Sequence, residues 1–216
     1  MNRGIGAIET EYAGHLFRSR LEARWAVCFD RLKVEWQYEP QGYYVGGMGD
    51  NAGRRYLPDF YLPRTQTWVE VKGTADAFDY QLLADCVDWG AGLPGLEDSA
   101  GTLRGLLLLG PIPQVVLDVP VHPILQHYKG GEVNGVCFTA GVVGGEDLQV
   151  FRHCFGTYDY FDSSWGNGMG QTETTIAEFF PANHCVTNVH LTHRVRDAYR
   201  AARSARFEHG QCGGVL

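Results

Sequence analysis

The chain has 216 residues, 44% of them hydrophobic, and a formal net charge of −7. This length is enough for one hydrophobic core and a small second lobe. No apolar run approaches the roughly 20 residues that a membrane span needs, and the N-terminus lacks the apolar segment of a secretory signal. The six cysteines are widely scattered. We therefore expect a cytoplasmic protein with reduced cysteines and no membrane association.

The charged residues are distributed unevenly along the chain. Residues 1–73 carry ten Lys or Arg and nine Asp or Glu, residues 74–190 carry three and fourteen, and residues 191–216 carry five and two. The net negative charge argues against a general nucleic-acid coat. Because positive charge is confined to the two ends of the chain, a DNA-binding face would have to be built from those ends.

The clearest helical pattern lies over residues 17–32, after an N-terminal segment, residues 1–14, that we expect to be irregular. Apolar side chains recur in the helix at steps of three and four residues. Glu22 borders this apolar stripe and has two interpretations. It either forms an i,i+4 ion pair with Arg18 on a solvated face, or it directs a carboxylate at a functional site.

Three strands are predicted to follow the first helix. Residues 34–38 alternate apolar and polar side chains, and residues 55–62 and 67–72 are rich in β-branched and aromatic residues. Residues 63–66 supply a tight turn between the last two strands. The second half of the core is predicted as a helix over residues 76–88, and then a short apolar strand, LRGLLLL, that is buried on both faces of a parallel sheet.

Two acidic residues and one lysine converge in the predicted hairpin. Glu70 and Lys72 are two residues apart in one strand, so their side chains point to the same face, which they share with Trp68. Asp59 lies in the preceding strand, across the hairpin. Such a group can hold a hard divalent cation through oxygen ligands and place an ammonium group beside it.

The pattern Pro58-Asp59, ten further residues and then Glu70-Val71-Lys72 resembles the signature of the PD-(D/E)XK nuclease superfamily. The predicted order of helix, three strands, helix and strand over residues 15–110 matches the core of that family. The resemblance implies an α/β (α+β) fold, with a mixed β-sheet of the restriction-endonuclease-like type and an αβββαβ core. Agreement between the motif and the order of elements strengthens the prediction.

The resemblance also implies a function: Mg²⁺- or Mn²⁺-dependent hydrolysis of phosphodiester bonds in DNA. Asp59 and Glu70 would hold the metal together with the backbone carbonyl of Val71. Glu22 would complete the ligand shell or bind a second ion. Lys72 would orient or help to deprotonate the attacking water and stabilise charge on the phosphate.

Two other functions stay open. The chain could be a non-catalytic nucleic-acid- or protein-binding protein that retains the nuclease fold, or an enzyme that acts on a smaller phosphate compound. RecB-like members carry a glutamine near the place of Gln81, although an exposed surface role is the commoner one for this residue type. A small nuclease core with a lobe of its own is also typical of phage and mobile-element proteins.

Residues 111–190 are predicted to form a β-rich insertion or lobe packed on the core, with strands over residues 136–143 and 148–155. This segment contains two histidine–cysteine pairs, His153–Cys154 and His184–Cys185. Their spacing is not the CxxC or HxxxH spacing of zinc sites, so we expect no zinc there.

The C-terminal segment, residues 191–216, contains a predicted basic helix that Thr192 can cap. Arg196, Arg200 and Arg203 follow one side of it. They form either a solvated basic face or a phosphate-contacting face, and we favour phosphate contact because arginine forks match phosphate geometry. The other candidates for DNA contact are Arg18, Arg24, Arg54 and Arg55. We expect DNA as the partner, and the sequence assigns no oligomeric state.

Overall fold

The computed structural model describes residues 7–47, 53–88, 90–97, 102–114, 119–127, 132–138, 151–153, 158–159, 185–186 and 192–207. The helices are α1 (Arg20–Leu32), α2 (Tyr80–Cys86) and α3 (His193–Ser204). The strands are β1 (Thr10–Tyr12), β2 (His15–Phe17), β3 (Gln37–Tyr38), β4 (Tyr43–Val45), β5 (Arg54–Tyr56), β6 (Phe60–Leu62), β7 (Thr67–Val71), β8 (Gly105–Leu109), β9 (Val119–Pro120), β10 (His122–Gln126), β11 (Glu132–Phe138), β12 (Phe151–His153), β13 (Tyr158–Asp159) and β14 (Cys185–Val186). None of the described helices is both long and apolar enough to cross a bilayer.

Eight of these strands form one mixed sheet. Its order is β12-β11-β10-β8-β7-β6-β3, and β13 pairs with β11. β7 and β8 are parallel, with Trp68 opposite Leu106 and Val71 opposite Leu109. β8 is buried along its whole length, as predicted for a strand covered on both faces. The predicted α/β class with a mixed sheet is therefore confirmed.

Apolar side chains cover both faces of the sheet. Val69 and Val71 of β7 belong to the cluster that contains α1 and α3, whereas Trp68 belongs to the cluster that contains α2. This alternation is the one predicted for the strand. The Arg194 guanidinium at the start of α3 donates a hydrogen bond of 2.7 Å to the Leu32 carbonyl at the end of α1. The two helices therefore run in opposite directions.

The N-terminal segment, expected to be irregular, contains a hairpin made of β1 and β2. Ala13 and Gly14 have φ angles of 50° and 80°, and a two-residue hairpin turn requires this left-handed pair. Phe17 was predicted to be helical but ends β2, where it is fully buried. The helix begins only at Arg20, because Ser19 adopts an extended conformation and caps it.

The strand predicted over residues 55–62 is two strands. β5 pairs with β4 in a separate ribbon, and β6 pairs with β7 in the main sheet. Pro58 lies between them and has no N–H group to offer a strand ladder. The strand predicted over residues 34–38 is likewise limited to β3.

The predicted helices are shorter in the structure. The helix predicted over residues 76–88 is a 3-10 turn, Ala75–Ala77, followed by α2. Asp79 begins α2 by accepting a hydrogen bond of 3.0 Å from the Leu82 N–H. α3 has Thr192 as its N-cap, as predicted.

β10 and β11 continue the main sheet beyond β8. Gly105 lies where β8 approaches β10 most closely, since a Cβ atom there would be 2.6 Å from Ile124 Cγ1. The strand predicted over residues 136–143 is β11, which begins earlier, and β12 falls within the segment predicted over residues 148–155.

The cysteines differ from the expectation at one position. Cys28 and Cys86 are free and buried, as expected for small core residues. Cys137 is disulfide-bonded, so the expectation that all the cysteines are reduced is wrong. Cys154 and His184 of the histidine–cysteine pairs lie outside the described residues, as do the side chains of His153 and Cys185.

Candidate active site

Three of the predicted site residues meet where β6, β7 and the start of α1 come together. The register places Phe60 opposite Val69, so Asp59, one residue before β6, is brought next to Glu70. Lys72 follows β7 directly, and its N–H donates to the Leu109 carbonyl at 3.0 Å. The two carboxylates and the ammonium group therefore lie at the carboxyl end of the parallel strand pair.

Asp59 is the most enclosed member of this group, because its side chain is only 2% exposed. Its Oδ2 accepts a hydrogen bond of 2.7 Å from the Val71 N–H. Burial and the Glu70 carboxylate raise the pKa of Asp59 to about 8, with a smaller contribution from Glu22. The environment of Asp59 therefore favours a neutral carboxyl or a bound cation over a free carboxylate.

Arg18 opposes this rise in pKa. Its Nη2 lies 2.7 Å from Asp59 Oδ1, and its Nε lies 2.5 Å from Glu39 Oε1. A guanidinium at that distance stabilises the ionised form of Asp59. The Arg18 side chain is 55% exposed, however, so water screens its charge. Burial and Glu70 therefore decide the direction of the shift.

Glu70 is held from two sides. The buried Tyr56 hydroxyl donates to Glu70 Oε2 at 2.7 Å, and the Lys72 ammonium group contacts Oε1. Burial by itself lowers the pKa of Lys72, but the Glu70 and Asp59 carboxylates outweigh it and the pKa is raised. Lys72 is therefore a cation. Sequence reasoning missed Tyr56, because it lies on β5, which belongs to a separate ribbon, and only the folded chain brings its hydroxyl to Glu70 on β7.

Glu22 is buried at the first turn of α1 and is hydrogen-bonded on both oxygens. It accepts from the Ser19 hydroxyl at 2.7 Å, the Tyr38 hydroxyl at 2.8 Å and the Arg18 backbone N–H at 3.2 Å. Ser19 and Glu22 have the spacing of a capping box. The side-chain ion pair of Glu22 with Arg18 on a solvated face is not formed, because the guanidinium reaches Asp59 instead. Glu22 caps the helix and also places negative charge near Asp59.

A cleft of about 290 Å³ opens beside Glu70 and Lys72. Its lining residues are Arg18, Arg55, Tyr56, Leu57, Glu70, Lys72, Ala77, Phe78, Asp79, Leu82 and Leu83. Arg55 donates through Nε to the Tyr44 hydroxyl at 3.0 Å, and its guanidinium carbon lies 5.7 Å from the centre of the Tyr44 ring. Tyr44 is 66% exposed. Arg55, which lines the cleft, thus holds an exposed aromatic ring beside its guanidinium group.

The other predicted residues lie in different surroundings. Arg54 is ion-paired with Asp79 and lies 3.8 Å from Asp85. Gln81 is exposed and donates to Asp85 at 3.0 Å, and Arg24 is half-buried on α1. The structure brings none of Arg196, Arg200 and Arg203 to the carboxylates, because all three line a separate cleft on α3.

The carboxylates fit a magnesium-type site better than a fully protein-bound metal. Within the described part of the chain, no three His, Cys, Asp or Glu side chains are grouped to hold a metal. Mg²⁺ usually binds through one or two carboxylates and keeps waters or substrate phosphates as its other ligands. Asp59 and Glu70 meet that requirement.

No protein family, curated protein or solved structure matches the chain.

Proposed function

We propose that this protein is a Mg²⁺- or Mn²⁺-dependent nuclease that hydrolyses phosphodiester bonds in DNA. The observation that supports it is the grouping of the buried Asp59 with Glu70 and Lys72, the last two of which line a cleft. The Asp59 side chain is only 2% exposed. A buried carboxylate that burial and a second carboxylate destabilise is poised to accept a divalent cation.

Each residue has a defined role in the proposed reaction. Asp59 and Glu70 bind the metal, with the Val71 carbonyl as a further oxygen ligand. A bound Mg²⁺ supplies a Lewis acid that lowers the pKa of water and neutralises charge on the phosphate. Lys72, held as a cation, stabilises negative charge that develops on the phosphate. Tyr56 fixes the orientation of Glu70 through its hydrogen bond.

Two arginines of the cleft fit contact with DNA phosphates. Arg18 and Arg55 both line the cleft, and both carry exposed guanidinium groups that match phosphate geometry. Arg18 is paired with Asp59, and it would contact a phosphate if a cation took its place at Asp59. Arg54 is a weaker candidate because Asp79 already pairs with it.

One observation favours a second function, non-catalytic DNA binding. The Arg18 guanidinium already provides Asp59 with a positive partner at 2.7 Å, so the carboxylate does not require a metal for neutralisation. If Arg18 stays in place, Asp59 is a structural acid that positions this arginine in a DNA-binding cleft. The nuclease is expected to bind metal and cleave DNA, whereas the non-catalytic DNA-binding protein is expected to do neither.

Digestion of supercoiled, linear and branched DNA with Mg²⁺ or Mn²⁺ tests the proposal. We expect the wild type to cleave DNA only with metal. Lys72→Ala should fold and bind Mn²⁺ but lose about a hundredfold or more in rate, because one charge-stabilising donor is typically worth that much. Arg104→Ala is the matched control, since Arg104 is exposed and precedes β8, at the end opposite the cleft.

Two results would contradict the proposed chemistry. Full activity of Lys72→Ala would remove Lys72 from the mechanism. DNA binding without cleavage under every metal condition would exclude the nuclease and support the non-catalytic function.

A further inference from the structure

A second cleft, with a volume of about 330 Å³, lies on α3, and none of the described residues lines both this cleft and the carboxylate cleft. We call it the arginine cleft. Its described lining residues are Pro113, Arg196, Tyr199, Arg200, Arg203 and Ser204. Three guanidinium groups therefore surround one small space. A volume near 300 Å³ is at the lower end for small-ligand sites.

The three arginines share one side of α3 because they are four and three residues apart. At 1.5 Å of rise per residue, they cover about 10 Å along the helix. The buried residues Val195, Ala198 and Ala202 hold α3 against the core, and the buried Tyr199 also lines the cleft. The arginines are thus carried by a packed helix rather than by a loop.

The charge of these arginines is poorly neutralised by the described residues. Arg200 lies 3.4 Å from Asp197, but the two side chains are 72% and 66% exposed, so the pair is weak. Arg203 reaches only a neutral acceptor, Gln114 Oε1, at 3.5 Å. Arg196 Nε is buried and has no hydrogen-bond acceptor among the described residues. A buried donor without an acceptor is costly, and an anion in the cleft would supply the missing acceptor.

Pro113 ties the arginine cleft to the chain that leaves β8. Trp25 Nε1 donates to the Gly110 carbonyl at 2.7 Å, which holds the chain directly after β8 against α1. Pro113 follows three residues later, a distance that extended chain covers in about 10 Å. The arginine cleft is carried by α3, which packs on one face of the sheet, whereas the carboxylate cleft is lined by residues of α2 on the other face.

We propose that the arginine cleft binds a terminal phosphate group, a phosphate monoester, separately from the carboxylate site. Such a group carries a charge of about −1.5 to −2 at pH 7, which three guanidinium groups match better than the single charge of a backbone diester. In the proposed nuclease it would hold a phosphorylated DNA end. The binding needs no metal and no hydrolysis, so this proposal and the nuclease proposal can fail separately.

The test compares one fluorescent oligonucleotide with a 5′-phosphate and with a 5′-hydroxyl, titrated in EDTA by anisotropy. We expect the wild type to bind the phosphorylated form at least about tenfold more tightly, and inorganic phosphate to remove that preference. Replacing Arg196, Arg200 and Arg203 together with Gln should abolish the preference. Arg206→Gln, at an exposed position near the end of the same helix but outside the cleft, should keep it.

Two further variants make the result decisive. Asp59→Asn should keep the preference for the 5′-phosphate, which separates this cleft from the carboxylate site. If the triple variant does not fold, the single variant Arg200→Gln, at an exposed position, provides the same comparison. Equal affinity of the wild type for both oligonucleotides would overturn the proposal. If the triple variant loses affinity equally for the 5′-phosphate and the 5′-hydroxyl oligonucleotide, the proposal is also overturned. The arginines would then contact the DNA backbone rather than the terminal phosphate.

Discussion

Asp59→Asn should make the metal-free protein more stable at alkaline pH. Burial and Glu70 raise the pKa of Asp59 from 3.8 to about 8, so the folded state keeps a proton that the unfolded state releases. This contribution to stability is complete below about pH 4 and is lost as the pH rises through about 8. Asparagine resembles the protonated carboxyl and does not titrate. The variant therefore does not lose this contribution to stability as the pH rises.

The size of the stability difference follows from the pKa shift of Asp59. One pK unit corresponds to about 1.4 kcal/mol, so the full shift amounts to on the order of 5 kcal/mol. Between pH 5 and pH 7 the stability of the wild type should fall by about 3 kcal/mol relative to Asp59→Asn. Because whole domains are stable by about 5–15 kcal/mol, such a difference is large enough for urea denaturation to measure.

The assay is urea denaturation in EDTA at several pH values between 5 and 8.5, with Asp76→Asn as the control at an exposed carboxylate. Mg²⁺ should then stabilise the wild type at pH 8 but leave Asp59→Asn unchanged, because a ligand stabilises only the state that binds it. The opposite result is equally specific. If Asp59→Asn is less stable than the wild type and the difference does not vary with pH, the Arg18 ion pair controls Asp59 and the reasoning is refuted.

Three further predictions concern single contacts. Tyr56→Phe removes the hydrogen bond to Glu70 and should weaken Mn²⁺ binding by about 1.5–3 kcal/mol, as measured by calorimetry, since the acceptor is charged; unchanged affinity would show that Tyr56 does not position Glu70. Trp25→Phe leaves the Gly110 carbonyl without its indole donor and should lower the free energy of unfolding by about 1–3 kcal/mol in urea; an unaltered midpoint would contradict this. Tyr44→Ala removes the exposed ring that contacts Arg55 and should weaken single-stranded DNA binding by about 1–3 kcal/mol, whereas equal losses on duplex DNA would contradict stacking.

In the hairpin that carries Glu70, the local sequence pattern correctly predicted which side chains share a face. Alternation along β7 assigned Val69 and Val71 to one face and Trp68 to the other, and the structure agrees. The burial of β8 and the N-cap of α3 were equally predictable. These features depend on neighbouring residues, because strand alternation, helix periodicity and capping are set within a few positions of the chain.

The secondary-structure predictions were wrong where a local pattern was compatible with two different structures. The apolar spacing of Phe17 fits the helix that follows it, but the turn at Ala13 and Gly14 places Phe17 in a strand instead. The run of apolar residues around Pro58 reads as one strand, yet its two halves pair with different partners. Sequence alone does not weigh a local preference against a pairing that forms elsewhere in the chain.

Local sequence patterns were sufficient to predict the α/β class, the main helices and strands, and which residues of β7 share a face. The surroundings of each charge depend instead on the folded chain. Arg18 contacts Asp59 across 41 residues of sequence, and Tyr56 reaches Glu70 from a different strand. The same packing buries Asp59 and raises its pKa. Burial and the approach of distant charges set these properties, and both arise only when the whole chain has folded.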